Sequence, residues 1–260
     1  MSEVEKLGLI TKEFLDQIIQ NDLAVFSELT KWTPEDIDAY SKLLDNLKKP
    51  YDRTKETPTE KGNRLEDLVN FIIKKTYFFD VTPNVHTGTN EADQIIYLSE
   101  KGKQALHKFQ LNRELLVIKE DMIIGECKNY DTNLKVTYVG KFYSLLVACD
   151  VNFGIIFTVK GLTGAENEYR EAYGLTKVLR LIEKYKNDRE FYIINFKLED
   201  YELMKDGNAK FLDIVSDKMK ALQTASNYSE YLKDNSHEKE EEIKSKINEF
   251  RKNEITKISL

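Results

Sequence analysis

Cysteine, histidine, proline and long apolar runs are all scarce in this 260-residue chain, and each scarcity excludes something. The two cysteines, Cys127 and Cys149, have no CxxC or Cys/His spacing. Zinc sites and disulfide frameworks are therefore poor readings, and two reduced thiols are expected. His86, His107 and His237 are scattered without metal-ligand spacing and receive no role. Four prolines and eleven glycines are too few for a fibrous or low-complexity chain, and imply regular structure. No run approaches eighteen apolar residues, and MSEVEKLGLITKEF carries acids and no signal-peptide core, so a cytoplasmic protein away from membranes is expected.

What is present is charge and amphipathic pattern. The net charge of -6 argues against a surface that grips nucleic acid all over, but leaves room for a local basic groove. Much of the acid sits in the run Glu238 to Glu242. Residues 1 to about 50 read as helical, from Leu7, Ile10, Phe14, Ile18 and Ile19 and from Thr33-Pro34-Glu35-Asp36, a cap followed by proline at the first helical position. KKPYDRTKETPTEKG is the best linker, which puts a boundary near Pro58. The division expected is an N-terminal helical module at 1–58, a main domain at 59–225 and a charged helical tail at 226–260.

Within the main domain, Leu65, Leu68, Val69, Ile72 and Ile73 form one helical stripe. Short extended runs follow at 81–85 and 92–98, and then one or two strands within LLVIKEDMIIGECKNY. Next come a helix in VTYVGKFYSLLVACD, a buried strand in NFGIIFTV, a helix over 165–187 and a strand in REFYIINF. Phe211, Leu212, Ile214, Val215, Met219 and Leu222 make a closing helix. Helices between apolar strands predict an α/β fold, a mixed sheet with helices on both faces.

The local chemistry concentrates in Ile123-Ile124-Gly125-Glu126-Cys127-Lys128-Asn129. Residues i and i+2 of a strand share a face, so Glu126 and Lys128 project together while Cys127 points the other way. By itself such a pair is an ordinary salt bridge. Asn90-Glu91-Ala92-Asp93-Gln94-Ile95-Ile96 adds an acid at the start of an earlier strand. Mg²⁺ takes oxygen ligands, commonly one or two carboxylates with water and phosphate, which Asp93 and Glu126 on neighbouring strands could supply. Lys128 would orient a nucleophile and offset negative charge. Glu66 lies one position off the apolar stripe of the preceding helix.

A helix with Glu66, a strand with Asp93, a strand with Glu126-x-Lys128, then helix and strand, together resemble the PD-(D/E)XK superfamily of restriction-endonuclease-like nucleases over roughly residues 60 to 225. The segments Tyr138 to Tyr143 and Gly161 to Gly164 are similar to those of stand-alone prokaryotic members. The resemblance implies a restriction-endonuclease-like sheet and Mg²⁺-dependent DNA hydrolysis leaving a 5′-phosphate, with Mn²⁺ as a substitute ion. It also implies Asp93, Glu126, the Cys127 carbonyl and Glu66 around the metal, with Lys128 at the water. The chain departs from the family in having Ala92 at the proline position and a long interval before Glu126. Ser99 to Asn112 reads as an insertion there. Glu91 competes with Asp93, which is preferred.

Lys141 and Tyr143 are placed at the start of the next helix, where a cation could meet DNA phosphate. Gly161 and Gly164 read as a turn, and Tyr77, Phe78 and Phe79 as core. Duplex DNA is the expected substrate, a restriction or anti-phage role the expected setting, and a homodimer the expected assembly. The alternatives are a repair or recombination nuclease on branched or single-stranded DNA, and a nuclease-like binding module without catalysis.

Overall fold

The computed structural model describes residues 12, 21–87, 90–164, 169–207 and 209–227. Residues 21–29 are helical. The first complete helix, α1 (Pro34–Lys48), opens at Thr33, whose hydroxyl accepts from the Asp36 amide while Asp36 accepts from the Thr33 amide. The second, α2 (Pro58–Lys74), repeats the device with Thr57 and Glu60. Each reciprocal cap satisfies two amides that the first turn leaves free, and each proline occupies a position where no amide is needed. The expected stripe of α2 is buried throughout, from Leu65 to Ile73.

Strands β1 (Phe79–Thr87) and β2 (Asn90–Leu98) pair antiparallel. Helix α3 (Glu100–Lys108) and a 3₁₀ turn (Arg113–Leu116) then lead to β3 (Met122–Lys128). The insertion expected between the strands is thus largely helical, and the run before Asn129 holds one strand. After it come α4 (Val136–Ala148), β4 (Phe153–Thr158), α5 (Glu171–Asn187), β5 (Tyr192–Phe196), α6 (Leu198–Leu203) and α7 (Phe211–Asn227). Two expectations need correction. The helix expected over 165–187 begins at Glu171, because Arg170 is extended (φ -117°, ψ 155°). Lys141 and Tyr143 lie in the second turn of α4, since that helix already starts at Val136.

The five strands form one mixed sheet in the order β1-β2-β3-β4-β5. β2 and β3 are antiparallel, while β3, β4 and β5 are parallel. Every residue of β4 and β5 is buried, as parallel strands covered on both faces require. One face packs on α1, α2 and α7 through Ile123, Cys127, Phe157 and Phe196. The other packs on α4 and α5 through Ile124, Ile156 and Ile193. Gly154 brings α4 close, because a Cβ there would stand 2.6 Å from Leu146 and Phe142 side-chain carbons.

The expected boundary near Pro58 is a boundary between elements. Across it, Tyr40, Leu44 and Leu47 of α1 join the same hydrophobic cluster as α2 and the sheet. The Tyr40 hydroxyl donates to the Tyr201 carbonyl at 2.7 Å. Phe78 and Phe79 are core, as expected, and Tyr77 packs against it. No helix among the described residues is long and apolar enough to cross a membrane. Leu7, Ile10, Phe14, Ile18, Ile19, His237, the acidic run and the tail from 228 lie outside the described residues, as do the side chains of His86 and Glu91.

Candidate active site

The β2/β3 register determines which carboxylates meet. Gln94 stands opposite Gly125, so the next residue back, Asp93, falls beside Glu126 at the end of β3. There the Asp93 Oδ2 accepts from the Cys127 amide at 2.9 Å and from the Lys128 Nζ at 2.8 Å. The same Nζ lies 2.8 Å from the Glu126 Oε1. All three side chains are about one-fifth exposed, so the group is open at one side and dry at the other. Alternation along β3 buries Ile123 and Cys127 on one face and projects Glu126 and Lys128 from the other. The burial of Cys127 also pushes its thiol pKa up, which keeps it a neutral thiol. Its carbonyl would be the atom available to a ligand.

Burial works against a charge on Lys128, but Glu126 first and the bonds to both carboxylates outweigh it, and the ammonium is held more firmly than usual. At neutral pH Lys128 is therefore a donor of hydrogen bonds and positive charge, and it cannot serve as a base. Glu66 behaves in the opposite way. Burial and then the Asp93 carboxylate raise its pKa, with Lys128 acting against them, so it lies within the field of the Asp93–Lys128 pair.

Two polar ties that sequence reasoning missed bracket Glu66 on α2. The Asn129 amide group, one residue past Lys128, donates to the Lys61 carbonyl at 2.6 Å. The buried Gln94, one residue past Asp93, donates through Nε2 to the Asn70 Oδ1 at 3.1 Å. These bonds anchor the helix to β3 and β2, and their only sequence signal is a polar residue beside each candidate. Gly125 accommodates the second tie, since a Cβ there would sit 3.2 Å from the Gln94 Oε1.

The donor chemistry suits a hard cation. Glu66, Asp93 and Glu126 offer carboxylate oxygens against the single Lys128 ammonium, so the group carries excess negative charge when ionised. Among the described residues no three His, Cys, Asp or Glu side chains gather closely enough to enclose an ion by themselves. A Mg²⁺ site needs only one or two carboxylates, with water and substrate oxygen completing the shell.

Lys141 is exposed on α4. The Tyr143 hydroxyl donates to Glu183 on α5 and its ring meets Phe191 edge-on, which assigns it to helix packing. Gly161 and Gly164 have φ of +82° and +91°, a turn conformation that favours glycine, and the Gly161 amide donates to the Thr158 hydroxyl. Set beside known proteins, the chain matches no family model, no curated protein and no solved structure.

Proposed function

We propose that the chain is a Mg²⁺-dependent DNA endonuclease of the restriction-endonuclease-like, PD-(D/E)XK kind. The observation that carries this reading is the Lys128 ammonium lying between Asp93 and Glu126 at the ends of neighbouring strands. The strand order, with one antiparallel and one parallel neighbour for β3, is compatible with it. A scaffold has no need for two acids and an amine in a half-open group, because partly buried charges cost desolvation energy. That cost weighs against a binding module without catalysis.

Asp93, Glu126 and the Cys127 carbonyl would hold the ion. When bound, Mg²⁺, or Mn²⁺ in its place, supplies charge that polarises the scissile phosphate and acidifies water. Lys128 donates a hydrogen bond to the attacking water and offsets the negative charge that develops on the phosphate oxygens. Glu66, whose proton affinity burial and Asp93 raise, takes the proton of that water. As the water oxygen bonds to phosphorus, the bond to the 3′ oxygen breaks and that oxygen takes a proton from solvent. The products are a 5′-phosphate and a 3′-hydroxyl.

Cleaving both strands of duplex DNA would call for a homodimer, and a restriction or antiviral role suits a stand-alone enzyme of this kind. Plasmid incubated with the full chain should be cut with Mg²⁺ and left intact with EDTA. Asp93→Ala and Lys128→Ala should each lower the rate by roughly 10²-fold or more, the usual effect of removing one preorganised electrostatic group. Unchanged cleavage in either variant would overturn the assignment.

A further inference from the structure

Immediately past Lys128, two large aromatic side chains stand in solvent. Tyr130 is 42% exposed and Tyr138, in the first turn of α4, is 36% exposed. Their rings meet edge to face with centroids 5.7 Å apart. Tyr130 also lies within the electrostatic field of Lys128 and Glu126. Two rings left wet beside a charged cluster forgo the burial that aromatic side chains normally gain, yet each holds the other in a defined orientation.

Tyr130 also lines a cleft of about 760 Å³ between the segment before α2 and the segment after β3, together with Tyr51, Arg53, Lys61, Asn129 and Asp131 among others. Its acids are largely engaged. Glu56 pairs with Arg64, Glu60 caps α2, and Asp131 pairs with Lys61. The Lys61 ammonium bonded to it, with Arg53 and Lys160 adding to the field, holds the Asp131 carboxyl below the usual carboxylate range, and Arg53 and Lys55 also line the cleft. This gives one route from the carboxylate group, past exposed rings, along a polar wall that carries charges of both signs.

In continuous duplex the faces of the bases are covered by their neighbours, and a ring beside the backbone has nothing to stack on. An unpaired base has a free face, and stacking on aromatic side chains is sequence-tolerant. We propose that Tyr130 and Tyr138 form a stacking platform for an unpaired base next to the scissile phosphate, so that this site prefers a single-stranded or displaced DNA strand to continuous duplex. The inference rests on the nuclease reading of Asp93, Glu126 and Lys128, and it departs from the duplex substrate expected from the sequence.

The test uses the full-length protein and two labelled DNAs, a single-stranded oligonucleotide and the blunt duplex of the same sequence. Binding is followed by fluorescence anisotropy in EDTA, and cleavage is followed separately with Mg²⁺. The single strand should bind more tightly, and Tyr130→Ala and Tyr138→Ala should each weaken that binding by about 10-fold while leaving duplex binding unchanged. Tyr130→Phe, which keeps the ring, should retain most of it. Phe109→Ala removes an exposed aromatic that follows α3, outside the cleft lining, and should change neither. Melting curves monitored by circular dichroism establish that each variant is folded. Equal loss on both DNAs, or no loss on the single strand, overturns the platform even if Mg²⁺-dependent cutting is intact. Ring-dependent single-strand binding without any cutting supports the platform and overturns the nuclease reading instead.

Discussion

Glu66 sits where burial and the Asp93 carboxylate both favour its protonated form. Its pKa is raised in the folded state, so the fold is penalised above that pKa and the penalty vanishes below the ordinary glutamate value. Glu66→Gln should therefore melt at a higher temperature than wild type at neutral pH without divalent ions, and the difference should close as pH falls through the carboxylate range. The same variant should cut DNA more slowly. A lower melting point at neutral pH would contradict the account of its environment. Asp93 gives a complementary measurement. If its carboxylate holds the ion, Mg²⁺ at a hundred times its dissociation constant should stabilise wild type by about 2.7 kcal/mol. An equal stabilisation of Asp93→Asn would remove Asp93 from the ion site.

At the scale of elements, α1 is held at its start by a cap with a tertiary partner. Burial works against the charge of Asp36, but the Lys75 side chain and the Thr33 amide outweigh it and bring its carboxyl below the ordinary value. A depressed pKa means that stability is present above the unfolded-state value and is lost as pH falls through the folded one. Asp36→Ala should cost about 1 kcal/mol at pH 7, typical of a lost cap, and clearly less in strong acid. Denaturant titrations at the two pH values test this, and an equal cost at both would mean that the carboxylate charge contributes nothing. The α2 start is built alike, and Asn129 and Gln94 then orient that helix toward the sheet. Glu66 thus depends on strand residues that lie far from it in sequence.

At the scale of the whole molecule, α1 and the sheet share one hydrophobic cluster. The single tryptophan, Trp32, lies with its ring centroid 4.9 Å from that of Tyr40, so its fluorescence reports on α1 while far-ultraviolet dichroism reports on the whole. The two signals should give coincident unfolding midpoints. Tyr40→Ala should lower the stability read by both probes by about 3–5 kcal/mol, the range for removing a buried aromatic ring. Separate midpoints would make the N-terminal helix an independent unit. At the β5 edge of the sheet's parallel half, α5 and α7 contact each other and the strand.

Much of this was legible along the chain because it is local. Thr33-Pro34 and Thr57-Pro58 announce helix starts, the stripe from Leu65 to Ile73 has helical period, and β3 alternates so that Glu126 and Lys128 share a side. Register and packing are different, because they depend on which residues meet from distant segments. Only the pairing of Gln94 with Gly125 brings Asp93 beside Glu126, and only the fold puts α1 in the common core. Tyr143 has the same helical spacing whether it faces a ligand or, as observed, Glu183. In the same way, no periodicity distinguishes the exposed rings of Tyr130 and Tyr138 from core tyrosines. The sequence alone determined the elements and the kinds of groups available, since propensity and periodicity act over one or two turns. The tertiary structure decided which groups converge, since that depends on strand register and on hydrogen bonds between residues far apart in the chain.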